Sequence, residues 1–226
     1  KAGIDPRNKT LAAALNDLRR REIRDTYSLA NAIMAIEALY APQGEREDLQ
    51  SGRIDRPYTR KLPAADLAVL SAWADRLMTN LDTRVDSGYV ARFNYRAARR
   101  YDNSVNQYGL LGIYAAQLCG YEVSPGFWQS AAQHLLLDQT ELSRTIELAL
   151  HESDRVEETV ATSRVPIAGW SYIGEVNGLE RERTAAMTCA GLTGLALARA
   201  GLRLHGKRSG PLFGQIEAAM SRGFAW

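Results

Sequence analysis

Apolar residues along the chain recur at helical spacing, and the stretches they form are of two kinds. Four of them, 10–22, 64–81, 127–139 and 212–222, carry one apolar stripe and one polar face, as in Leu11, Ala14, Leu15 and Leu18 or Phe213, Ile216, Ala219 and Met220. Three others, 27–40, 108–118 and 185–202, are apolar nearly all the way round, the pattern of helices inside a core. The order along the chain is outer, inner, outer, inner, outer, inner, outer. Consecutive outer and inner helices pair as hairpins, which predicts an all-α fold: an α/α toroid, closed or as a partial, open barrel, in a single domain over 1–226. The connections at 42–63, 82–101 and 140–180 are long for such a domain and point to function or to local structure of their own. The third contains a β-prone stretch at 156–165.

The inner helices are copies of one another. Asp25-Thr26-Tyr27-Ser28-Leu29-Ala30-Asn31-Ala32-Ile33-Met34-Ala35 aligns with Asp102-Asn103-Ser104-Val105-Asn106-Gln107-Tyr108-Gly109-Leu110-Leu111-Gly112 and with Thr184-Ala185-Ala186-Met187-Thr188-Cys189-Ala190-Gly191-Leu192-Thr193-Gly194. Each begins on a residue whose side-chain oxygen caps a helix: Asp25, Asp102 or Thr184. Seven positions on stand Ala32, Gly109 and Gly191, and ten positions on stand Ala35, Gly112 and Gly194. Residues three apart share a helix face, so each pair makes a smooth strip where another helix can approach closely. That contact must offset about 1 kcal/mol of helix propensity lost per glycine.

Composition removes several function classes. With 28 basic and 26 acidic residues the net charge is +2, too small for bulk electrostatic binding of nucleic acid, and no stretch reads as a membrane span. Lysine stands only at Lys1, Lys9, Lys61 and Lys207, so arginine carries the remaining basic charge. Two cysteines, Cys119 and Cys189, and three histidines, His134, His151 and His205, form no metal-ligand spacing, so neither a metal nor another cofactor is expected. There is no glycine-rich phosphate loop and no nucleophile elbow. Arg181 and Arg183 flank the start of the third inner helix, where the dipole favours an anion, although Glu180 and Glu182 alternate with them as a salt-bridged turn would. Tyr89, Phe93, Tyr95, Tyr101, Trp170 and Tyr172 gather ahead of the second and third inner helices.

The run Asp102 to Gly112, Trp128 in the next helix, the Gly169-Trp170-Ser171-Tyr172 turn and the run Ala186-Met187-Thr188-Cys189-Ala190-Gly191-Leu192 together resemble bacterial proteins with prenyltransferase and squalene oxidase repeats. Those belong to the terpenoid-cyclase and protein-prenyltransferase superfamily of α/α toroids, and the likeness spans about 10–226. The resemblance implies that the amino ends of the inner helices open onto one shared space, which would receive Asp25, Thr26, Tyr27, Asp102, Asn103, Asn106, Thr184 and Thr188. It also implies that Gly88-Tyr89 and Gly169-Trp170 clamp outer to inner helices. Squalene-hopene-type cyclases carry D-x-D-D-T at one such end, and here Arg100-Tyr101-Asp102-Asn103-Ser104 keeps only the central aspartate. An arginine beside Asp102 favours its carboxylate over an alkene-protonating acid. Asp102 is therefore the one catalytic candidate, with capping as its competing role, and the histidines are expected away from the cavity ends.

Two functions are compatible with these residues. One is a diverged, non-catalytic toroid that binds a partner chain, a missing part of the same polypeptide or an apolar lipid on its concave face. The other is an enzyme on a polyprenyl or terpenoid lipid, a cyclase or transferase, with Asp102, Asp25 and the Arg181 and Arg183 pair as polar groups of an apolar cavity.

Overall fold

A computed structural model describes residues 8–82, 91–96, 101–150, 161–173 and 182–226. Among them are eight helices: α1 (Lys9–Arg20), α2 (Thr26–Tyr40), α3 (Glu45–Gln50), α4 (Ala64–Met78), α5 (Asn103–Leu118), α6 (Pro125–Asp138), α7 (Ala185–Leu204) and α8 (Pro211–Phe224). The fold is mostly helical, and its one described sheet is a hairpin of β1 (Thr140–Leu150) against β2 (Ala161–Gly169). The seven expected helices are all present. The short α3 and the first strand of the hairpin were not expected.

Helices α2, α5 and α7 stand side by side in that order, with α5 touching both others. On this row α4 lies against α2 and α5, α6 against α7, and α8 against α6 and α7. Leu29, Ile33, Leu70, Leu77, Leu110, Ile113 and Leu195 are fully buried between them. The three expected caps form: Asp25 accepts from the Ser28 amide at 2.9 Å, Asp102 from Val105 at 2.7 Å, and Thr184 from Met187 at 3.2 Å. By length and composition α7 is apolar enough to cross a membrane, contrary to the expectation of no such stretch, yet half of it is buried inside this fold. It packs against α5, α6 and α8, which is why it is apolar all round.

The small residues hold aromatic rings as much as helices. At Gly112 an added Cβ would fall 2.8 Å from the Ala30 Cα, so α5 and α2 touch there as expected. At Gly109 and Gly191 the neighbour is instead a ring from a connecting segment: Phe93 and Trp170, each 2.2 Å from the added atom. The Trp170 ring is buried and its indole N–H donates to the Leu135 carbonyl of α6 at 2.9 Å, so this turn does clamp an outer helix to an inner one. Gly88 and Tyr89 lie outside the described residues.

Helix α1 departs from the expected hairpin. The Arg19 guanidinium binds both oxygens of Asp66 at 2.8 and 2.9 Å, and Asp66 also accepts from the Tyr40 hydroxyl. Tyr40 ends α2, about 21 Å along the axis from its start. The chain therefore leaves α1 at the far end of α2 and runs back along 21–25, where the Asn80 side-chain Nδ2 donates to the Arg24 carbonyl at 3.0 Å. Arginine and carboxylate set this crossing, and neither shows in an apolar pattern.

Candidate functional site

The amino ends of the inner helices are built by a repeated lock. The Thr26 amide donates to the Tyr95 carbonyl at 3.0 Å, and its hydroxyl to the Asn94 carbonyl at 2.5 Å. One repeat later, Asn103 donates from its amide to the Tyr172 carbonyl and from its side chain to the Ser171 carbonyl, both at 2.9 Å. In each case the first residue of one inner helix uses its otherwise unpaired amide and its side chain to hold the turn that leads into the next. The same turns are held from the other side: the Phe93 amide donates to Asn106 Oδ1 at 3.0 Å and the Trp170 amide to Thr188 Oγ1 at 3.4 Å. Antiparallel bridges, Asn94 with Tyr101 and Ser171 with Arg183, close each turn at its base.

This accounts for several residues expected in the shared space. Thr26, Asn103, Asn106 and Thr188 are buried and engaged with turn backbone. Asp25 and Thr184 cap their helices. Arg183 sits in the bridge to Ser171, and Arg181 lies outside the described residues. Tyr27 alone of that set presents a half-exposed side chain beside Asp102.

Around Tyr27 the lock assembles a group that the sequence did not announce. Its ring lies 4.7 Å from that of Tyr108 and 5.6 Å from that of Tyr95, centroid to centroid. Asp102, 4% exposed, accepts from the Ser104 hydroxyl at 2.7 Å as well as from the Val105 amide. Serine has one proton to give, so the Tyr27 hydroxyl, 2.6 Å from Ser104, is the donor in that pair. Tyr172, about half exposed, brings its hydroxyl to 3.2 Å from Ser104. The Tyr95 phenol is pushed far above its ordinary value by its hydrogen bonds to Tyr172 and Asp102 and by burial. Burial likewise raises Tyr27, Asp102 adding to it. Tyr27 and Tyr95 are therefore neutral donors and acceptors at physiological pH, the hydroxyls of Tyr27, Tyr95 and Tyr172 are tied to Asp102 and Ser104, and all four tyrosines are at least partly exposed.

His134 is closer to this end than expected. Its Nε2 lies 2.8 Å from the Tyr101 hydroxyl, which is also 2.5 Å from Asp138 and 2.6 Å from Asn103. Burial depresses His134 and raises Tyr101, so both are neutral. Arg92 stacks 4.7 Å over the Tyr101 ring and pairs with Asp82 at 2.7 Å. Tyr101 precedes Asp102 by one residue but turns outward to α6, which carries the histidine to the amino end of α5. A contact 33 residues apart has no local signal.

At the carboxyl ends of α5 and α7 lies a cleft of about 1310 Å³, between the strap Gly52–Thr59, Gln117–Leu118, Gly120–Ser124 and Leu204–His205. The strap is tethered by Arg60, whose side chain is 4% exposed and pairs with Glu37 and Glu45, both at 2.5 Å. The Arg60 amide donates to the Leu118 carbonyl at 2.7 Å. Among the described residues no cluster of histidine, cysteine and carboxylate side chains is arranged to hold a metal ion. Cys119 is buried and its thiol pushed up to about 12 by desolvation, while Cys189 is exposed rather than in the core.

No family model, curated protein or solved structure matches the chain. The functional reading accordingly rests on the geometry of these residues.

Proposed function

We propose that the chain is an open α/α arc of the terpenoid-cyclase-like kind that works by binding rather than by turnover, holding a partner chain, a further part of the same polypeptide or an apolar ligand against the uncovered face of α2, α5 and α7. The observation that carries this is the cluster of Tyr27, Tyr95, Tyr108 and Tyr172 at the amino ends of α2 and α5. Tyrosine offers a large, rigid contact surface with an apolar body and a polar tip, and it orders at little entropic cost. Three repeat positions, counted two, six and nine residues after the caps of α2 and α5, support the face: Tyr27, Asn31 and Met34 on α2 and Ser104, Tyr108 and Leu111 on α5 are all at least partly exposed. Asp102 is engaged by the helix it caps and by Ser104 and Tyr95, which argues for a structural carboxylate rather than an acid aimed at a substrate.

The test places a photo-crosslinking phenylalanine at Tyr108 and, as a control, at Ala218 on the exposed side of α8, in cells that make the protein. A discrete adduct, polypeptide or lipid, at position 108 and not at 218, and lost with Tyr27→Ala plus Tyr172→Ala, is the expected result. Equal labelling at both positions would remove the face from consideration. Conversion of squalene or a polyprenyl diphosphate by the wild type, absent in a folded Asp102→Asn variant, would replace binding with catalysis.

A further inference from the structure

The protons of the tyrosine cluster all run one way. Asp102, 4% exposed, is held by uncharged donors: the Val105 amide, the Ser104 hydroxyl and the Tyr95 hydroxyl. Among the described residues no arginine, lysine or histidine pairs with it. A carboxylate only accepts, so the Ser104 and Tyr95 protons point inward at Asp102. Tyr27 gives its proton to Ser104 at 2.6 Å. The Tyr172 hydroxyl reaches Ser104 at 3.2 Å and also Tyr95, finds both protons spent on Asp102, and gives its own to one of them. These three tyrosine hydroxyls are left with lone pairs and no proton to offer, beside partly exposed rings and a buried negative charge. A group that only donates and carries positive charge fits them, an ammonium or a guanidinium.

The chain itself shows which of the two suits such a ring. Tyr101, the bridge partner of Asn94, also has its hydroxyl against a carboxylate, Asp138 at 2.5 Å, and there the Arg92 guanidinium lies 4.7 Å over the ring centroid. Hydrogen bonding to a carboxylate enriches a phenol ring in electrons, and a planar guanidinium stacks on the ring while its edge donates to oxygen. The group of Tyr27, Tyr95 and Tyr172 repeats the carboxylate and the phenols, with no arginine stacked on them among the described residues. Resting on the reading of this face as a binding surface, we propose that its partner is a polypeptide that lays an arginine side chain over the tyrosine rings beside Asp102. The guanidinium stacks on a ring, its N–H groups reach the phenol oxygens, and Asp102 supplies the countercharge.

The probes are short blocked peptides of glycine around a single arginine, lysine or citrulline, the uncharged isostere of arginine, together with tetramethylammonium, a cation without N–H groups. Binding is read from NMR of the tyrosine rings, with the resonances assigned by Tyr27→Phe and Tyr108→Phe. The arginine peptide should shift these rings saturably and bind about two- to fivefold more tightly than the citrulline peptide, with lysine between them. Asp102→Asn, which keeps a capping side chain and removes the charge, should erase that preference, and circular dichroism confirms that the variant is folded. Should it unfold, the wild-type ranking decides alone. Equal binding of the arginine and citrulline peptides, a preference that survives in folded Asp102→Asn, or tetramethylammonium binding as tightly as the arginine peptide would overturn the proposal. In the crosslinking assay, a polypeptide adduct at position 108 that Asp102→Asn leaves undiminished would keep the binding face and discard the arginine. No adduct beside an intact preference for the arginine peptide would do the reverse.

Discussion

Replacing Gly191 with alanine puts the packing of the turns to a direct test. The new Cβ would lie 2.2 Å from Trp170 Cδ2 and 2.6 Å from two further ring atoms, where carbon atoms settle at about 3.5–4.0 Å. The ring must move by more than an ångström, and it is fully buried. Overpacking of this kind costs about 1–3 kcal/mol. A ring displaced so far also loses the 2.9 Å bond from its indole N–H to Leu135, and an unpaired buried donor costs about 1–3 kcal/mol. Against this stands about 1 kcal/mol gained from replacing glycine with alanine inside a helix. The net expectation is a loss of about 1–5 kcal/mol. Gly214 in α8 is the control, because an added Cβ there meets nothing within 4 Å and Gly214→Ala should gain about 1 kcal/mol. Urea unfolding followed by far-ultraviolet circular dichroism measures both. In a Trp170→Leu background the Gly191→Ala penalty should shrink, with a coupling of about 0.5–3 kcal/mol between the two sites. A Gly191→Ala protein as stable as wild type would refute the account of the clamp.

Three further outcomes follow from groups already described. Asp102→Asn should leave stability nearly unchanged, since asparagine caps almost as well, while Asp102→Ala should cost about 1 kcal/mol in the same unfolding assay. Arg60→Met should cost about 3–5 kcal/mol by leaving Glu37 and Glu45 without their buried partner, and a change below 1 kcal/mol would show the strap is held by other means. Burial depresses His134 in the fold, so the unfolded chain takes up its proton first and stability is lost as pH falls through the unfolded histidine value of about 6.5. Burial alone would raise Asp66, but hydrogen bonds from Arg19 and Tyr40 outweigh it and hold the carboxyl low, so its contribution is lost only at more acid pH, below about 4. Thermal unfolding against pH should accordingly lose its decline between pH 7 and 5 in His134→Gln, and part of the later decline in Asp66→Asn.

The helices were legible because each is written in local signals. Periodicity marked their faces, and Asp25, Asp102 and Thr184 marked three starts that the structure reproduces. The hairpin was half legible: the β-prone stretch at 156–165 runs into β2 from Ala161, its first five residues lying outside the described ones, whereas β1 was missed because a register shift between Glu141 and Thr145 breaks its period on the way in. Six-residue α3 carries almost no apolar pattern, since what secures it is Glu45 meeting Arg60 fifteen residues on. The candidate site was legible in parts but not as a whole. Tyr27 and Asp102 stood out by position, whereas Ser104, Tyr95, Tyr108 and Tyr172 join them only once two turns are folded onto two helix ends. Cys189 lies in a stretch that is apolar nearly all the way round, and only the place of α7 at the end of the row leaves it exposed.

The bridges at the base of each turn also bear on how such a protein can diversify. Asn94 closes on Tyr101 and Ser171 on Arg183, with six residues of sequence between the first pair and eleven between the second. The lock to the preceding helix reaches no further into each segment than its first residue, Tyr95 or Tyr172, and the ring in the following helix, Phe93 or Trp170, stands one residue outside the base, so neither senses the number of residues beyond. Each base therefore works as a socket. Segments of different length and composition can be exchanged beyond Tyr95 and Tyr172, at the same end as the tyrosine cluster, while the buried scaffold keeps its sequence.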